Sequence, residues 1–222
     1  MIFLTELHYH PPAALFAALV NADGLLLEAH EHYRKQTYRN RCLIRTAQGV
    51  QPLTVPVLDG NRAGKVRASE IEIDYRQNWI HRHWRTLQTA YGNSPYFEYY
   101  ADYLHDIYVQ KPGRLFDLNQ AFLQLFLKCF RLPLPVQRTT EYHAEYPTNS
   151  YLPTLPPSYP IVDRRDWLTP KASAPAKPDT PAASALVQPY PQVFGPGFEP
   201  GLSVLDLLFS QGPAAGSFFN VR

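Results

Sequence analysis

Residues 1–29 read MIFLTELHYHPPAALFAALVNADGLLLEA, and this stretch decides the fold. Ile2 to Thr5 is an apolar run of strand length, followed by a polar loop, Glu6 to His10, and two prolines. Pro12 suits the first turn of a helix, where a missing N–H costs nothing. Leu15, Phe16, Leu19 and Val20 then recur at helical spacing to about Asn21. Asp23-Gly24 makes a turn, and Leu25 to Ala29 is a second apolar strand. Strand, helix and strand within thirty residues predict a βαβ unit with parallel strands and a right-handed crossover. Ligands of such sheets collect outside the carboxyl ends of the strands. Two polar clusters leave those ends, Glu6 to His10 and Glu28 to Arg41, so they are expected to face each other.

The second cluster holds the candidate chemistry. Between Glu28 and Ile44 stand three arginines, a lysine, two histidines, two glutamates, an asparagine and two tyrosines, with hardly an aliphatic among them. Arg39, Arg41 and Lys35 offer a fork for phosphate or carboxylate. Tyr9, Tyr38 and Tyr91 could stack on a base or sugar ring, and Asn40 and Glu31 could add polar contacts. The competing reading is structural: a solvated basic loop, with Arg39 and Arg41 paired to Glu70, Glu72 or Asp74 on a neighbouring strand.

Farther along, Arg41 to Thr46 and Gln51 to Pro56 read as a hairpin with Gly49 in its turn. Residues 59–64 form a loop, and Ile71, Ile73 and Tyr75 alternate with acids as a half-buried strand. Helical spacing covers Trp79 to Tyr91, where packing is the expected role of Trp79 and Trp84. Ser94-Pro95 is expected to cap and open a further helix, Asp117 another. Ser203 and Asp206 stand at capping-box spacing before a last short helix, stopped by Gly212-Pro213.

The fold expected is α/β: a small mixed sheet opened by the βαβ unit, a helical subdomain, and a Pro-rich extended arm. Thirteen of the 22 prolines lie between Pro147 and Pro200, which removes regular helix and central strand from much of that region. The division expected is a core over 1–142, an extended arm over 143–191, and a C-terminal segment over 192–222 whose short helix docks back.

A formal charge of +2 is too small for a general binder of duplex nucleic acid, so any basic function is local. No run spans a bilayer, and the N-terminus lacks the basic start of a signal peptide, so the cytoplasm is the expected compartment. Cys42 and Cys129 imply no disulfide framework. No Walker loop, G-x-G-x-x-G or G-x-S-x-G appears, and no cofactor is expected. Three His-x-His pairs, His8/His10, His30/His32 and His81/His83, could ligate a metal on a strand with Glu6, Glu28 or Glu31. On a helix such positions diverge, and eight histidines produce pairs by chance, so no metal site is assigned.

Several motifs together carry a resemblance. They are Tyr33, Lys35, Tyr38-Arg39-Asn40-Arg41 and Ile44; Gly49, Leu53 and Val55-Pro56; Ile73-Asp74, Trp79 and His83-Trp84. Ala90-Tyr91-Gly92, Ser94 to Tyr100, Leu115 to Asn119, Thr140-Glu141-Tyr142 and Pro170-Lys171 continue it. Tyr190, Gln192-Val193-Phe194 and Leu202 to Pro213 complete it. On these the chain resembles the WbqC-like family. Tyr9, Pro11 and Phe16 also match its N-terminal pattern, whereas Leu15 replaces a common aromatic, and His10 and His32 depart from it.

The resemblance implies a place in bacterial O-antigen or other surface-polysaccharide assembly, and a transferase of acyl or aminoacyl (glycine) groups to an amino sugar. Its partners would be a nucleotide-sugar or lipid-linked sugar and an acyl or aminoacyl donor. Glu31 or His83 would deprotonate the attacking amine, a task for a group poised near neutral pH. The alternative is a non-catalytic accessory or scaffold protein of a glycan pathway, with the Pro-rich arm as its partner surface.

Overall fold

The computed structural model describes residues 1–58, 65–146, 159–170 and 185–219. The loop at 59–64 and most of the Pro-rich arm (147–158 and 171–184) lie outside the described residues.

The opening unit is as the sequence indicates. Strand β1 (Ile2–Glu6), helix α1 (Ala13–Leu19) and strand β2 (Gly24–Glu28) follow one another, and β1 pairs parallel with β2 from Ile2↔Gly24 to Glu6↔Glu28. Helix α1 is shorter than its apolar pattern because Val20 already closes it. Every residue of both strands is buried, as expected of parallel strands covered on both faces.

Phe3, Leu25 and Leu27 enter the main core, while Ile2, Leu4 and Leu26 alternate onto the opposite face. Ile161, Tyr146 and Tyr159 pack on that second face.

Two short strands complete the sheet, and neither was legible. Strands β5 (Val136–Arg138) and β6 (Ile161–Asp163) pair parallel with β2 and β1, giving the order β5-β2-β1-β6. Each spans three residues beside prolines, too short to show a period. The hairpin of β3 (Arg41–Thr46) and β4 (Gly49–Thr54) pairs antiparallel as a separate two-stranded sheet. Residues 71–75 form isolated bridges, Val57↔Ile73 and Glu72↔Arg114, in place of the expected strand.

The helical region holds α2 (Trp79–Tyr91), α3 (Phe97–Val109) and α4 (Leu115–Cys129). Trp79, His83, Leu87 and Tyr91 recur at four-residue spacing and form the buried face of α2. The Ser94 hydroxyl donates back to Tyr91 O at 2.6 Å, so α3 starts at Phe97 without a serine cap. Likewise α4 begins at Leu115, placing Asp117 within its first turn, where a carboxylate complements the helix dipole.

Helix α5 (Val204–Gln211) is apolar on nearly all sides and buried against α1, α3 and β3. Ser203 caps it through Leu205 N. Asp206 does not complete the capping box. It turns inward to accept hydrogen bonds from the hydroxyls of Tyr91 at 3.0 Å and Tyr190 at 2.8 Å.

Candidate functional site

The chain runs from β1 to β2 and β5 on one side, then crosses to β6 on the other. The direction of winding therefore reverses at β1, and the crevice there is where open α/β sheets place ligands. A cleft of about 450 Å³ opens at this place, lined by His30, Glu31, His32, Arg34, Arg67, Tyr142, Ala144, Asp163, Arg165 and Asp166. The two polar clusters do converge.

Charge at the cleft floor follows from strand register. Glu6 and Glu28 end adjacent strands as direct partners, and both are buried, at 1% and 0% exposure. Two bare carboxylates side by side would be costly, and each takes a different guanidinium. Arg165 reaches Glu28 at 3.0 Å and Asp163 at 2.6 Å, and the rings of Tyr142 and Tyr146 lie against its guanidinium. Glu28 also accepts from the Thr139 hydroxyl at 2.9 Å.

Arg39 gathers three acids: Glu31 through two bonds of 2.6 and 2.5 Å, Asp166 at 3.2 Å, and Glu6 at 3.7 Å. Burial alone would raise the Glu6 carboxyl, but the Arg39 charge and a His8 imidazole 3.1 Å away outweigh it and hold the carboxyl well below its usual range. For Glu31 burial wins over the Arg39 bonds, and its carboxyl is raised above 4.5. The surrounding acids keep Arg39 firmly protonated despite its burial.

The expected site residues divide among several places. Glu31 and Arg39 belong to the cleft and its floor, but Arg39, 3% exposed, is no open fork because carboxylates already occupy it. Arg39 is ion-paired as the structural alternative has it, but in a buried place and not with Glu70, Glu72 or Asp74, and Arg41 has no such pair among the described residues; Asp74 pairs with Arg76. Lys35 is exposed beside the cleft-forming loop. Arg41 sits on the hairpin and donates to the Thr54 hydroxyl at 3.2 Å. Asn40 is buried and donates to Val55 O at 3.0 Å.

The tyrosines and His83 are elsewhere. Tyr9 is fully buried, and its hydroxyl meets His83 Nδ1 at 2.9 Å and the Tyr108 hydroxyl at 2.5 Å. His10 Nε2 completes this cluster 2.6 Å from Tyr108. Burial lowers the His83 imidazole to about 4, a backbone contact at Thr54 offsetting only part. His83 is therefore a neutral core histidine and is not among the residues lining the cleft. Tyr38 is buried against the His8 ring, and Tyr91 belongs with Asp206. The three tyrosines do not line one pocket.

Sequence reading missed Arg67, Tyr142, Asp163, Arg165 and Asp166, which reach the cleft from distant segments. Their sequence signals are slight: Tyr142 stands in the motif Thr140-Glu141-Tyr142, and Asp163, Arg165 and Asp166 belong to a charged run just after a short apolar one, Ile161-Val162. Among the described residues, no group of three or more His, Cys, Asp or Glu side chains could hold a metal ion.

Fold and cleft together define a mixed α/β protein with a polar, charge-compensated cleft at the carboxyl ends of its parallel strands. The WbqC-like protein family model matches residues 7–171, and the chain belongs to that family. It is 26% identical over 239 residues to the "Uncharacterized protein Rv1507c" of Mycobacterium tuberculosis (strain ATCC 25618 / H37Rv), a match covering 98% of this chain and 96% of the relative. No solved structure matches it. No helix among the described residues is long and apolar enough to cross a membrane.

Proposed function

We propose that the chain is a cytoplasmic transferase that joins an acyl or aminoacyl group, such as glycine, to the amine of a nucleotide-linked or lipid-linked amino sugar during surface-polysaccharide assembly. The cleft at the carboxyl ends of β1, β2 and β6 is its site. The observation that carries this reading is Glu31. It lines the cleft, Arg39 fixes its orientation through two bonds, and its proton affinity is raised by burial.

A carboxylate so placed serves the chemistry of amide formation. The amine nitrogen attacks the donor carbonyl, the N–C bond forms, and the bond to the donor's leaving group breaks. The proton lost by nitrogen passes to a Glu31 carboxylate oxygen. Asp166, 32% exposed at the rim, adds a second acceptor for the amine. Tyr142, 52% exposed, offers a ring face for the sugar or base. His83 has no part in this scheme.

The test compares a nucleotide-sugar bearing a free amine with its N-acetylated counterpart by thermal shift, on wild type, Glu31→Gln and Tyr142→Ala. A ligand that binds only the folded state raises the melting temperature. The free amine is expected to stabilise wild type more, with the preference lost in Glu31→Gln and overall binding weakened in Tyr142→Ala. Equal stabilisation by both sugars in wild type would overturn the assignment of an amine acceptor.

A further inference from the structure

We propose that His32 and Arg67 form a phosphate subsite at the rim of this cleft, taking the diphosphate of the sugar conjugate; this rests on the cleft being the site. The two residues oppose each other across an isolated antiparallel bridge. Tyr33 N donates to Val66 O and Ala68 N to Glu31 O on either side of them, which makes His32/Arg67 the non-hydrogen-bonded pair. Side chains at such positions share one face and stand about 5 Å apart at Cβ. Both line the cleft and both are exposed.

Charge pairing singles them out. Three other arginines at the cleft are bound to carboxylates: Arg34 to Asp166, Arg39 to Glu31, Arg165 to Asp163. Among the described residues, the side chains of Arg67 and His32 have no hydrogen-bond, ion-pair or ring partner. A guanidinium fork beside an imidazole presents N–H donors from two directions, which suits a tetrahedral phosphate with three accepting oxygens. The anion-binding role therefore passes from Arg39, which is occupied, to a residue outside the arginine-rich stretch.

Isothermal titration with inorganic pyrophosphate, UDP and a water-soluble prenyl diphosphate tests the subsite on wild type, Arg67→Ala, His32→Ala and Glu31→Gln. Wild type is expected to bind pyrophosphate saturably, at least tenfold more weakly in Arg67→Ala and several-fold more weakly in His32→Ala. Glu31→Gln keeps pyrophosphate binding, so a failed amine preference and a failed phosphate subsite are separable results. UDP or the prenyl compound binding more tightly than pyrophosphate supports the subsite and names the conjugate's source. No pyrophosphate binding by wild type, or equal binding by Arg67→Ala, would overturn it.

Discussion

Arg39 closes on Glu31 through two parallel hydrogen bonds, Nε to Oε1 at 2.6 Å and Nη2 to Oε2 at 2.5 Å. The arginine that looked most available for a ligand is thus the one most fully used by the protein. Arg39→Ala leaves Glu6 and Glu31 buried without their shared cation, and removing one partner of a buried ion pair costs about 3–5 kcal/mol. Arg41→Ala, which loses one bond on the hairpin, costs less than about 1 kcal/mol. Urea denaturation of the two variants measures both losses. An Arg39→Ala cost as small as that of Arg41→Ala would show that the network does not support the fold.

Buried histidines set an acid limb for stability. His83 is lowered from 6.5 to about 4 by burial, and His10 is lowered well below 6.5 for the same reason. The unfolded chain binds these protons first, so the stability is full above about 6.5 and falls as pH drops toward 4. For His83 the depression corresponds to about 3 kcal/mol at the low end. Denaturation between pH 7 and 4 is expected to show that slope, reduced in His83→Gln. An unchanged slope would place the titration elsewhere.

Glu31, as the proposed base, makes a further prediction for catalysis in the same direction. Its carboxyl is raised, and it must be ionised to accept a proton, so activity falls as pH drops through a value above the ordinary 4.5. Glu31→Gln is expected to lower kcat by about 10²–10⁴-fold with little change in KM. A pH–rate profile of kcat whose acid limb persists in Glu31→Gln would remove it from the base role.

Gly212 closes α5 at φ 52, and a Cβ there would strike the ring of Tyr96. Gly212→Ala adds backbone strain to that clash and is expected to cost about 1–3 kcal/mol in thermal or urea unfolding. A neutral substitution would mean that Tyr96 moves aside freely.

What was legible depended on sequence distance. The βαβ unit, the hairpin and α2 have strong local periods, and local periods survive folding when they agree with the core. Strands β5 and β6 have none; the neighbours they pair with, more than a hundred residues away, make them strands. Ser94 carries a capping residue's chemistry, yet its hydroxyl found Tyr91 O first. The cleft was legible as a place, because polar strand exits such as Glu6 and Glu28 mark it. Its wiring was not. Nothing in the local sequence tells a free arginine from a paired one, and the partners of Glu28 and Asp166 come from Arg165, Arg34 and Arg39.

The most direct test of the site itself is chemical-shift mapping of the isotope-labelled chain during titration with a nucleotide-linked amino sugar. Backbone amides of His30, Glu31, His32, Arg67, Tyr142 and Arg165 are expected to move together with one affinity. Shifts gathered instead around Trp84 and His105, which line a different pocket, would contradict the placement of the site at the strand ends.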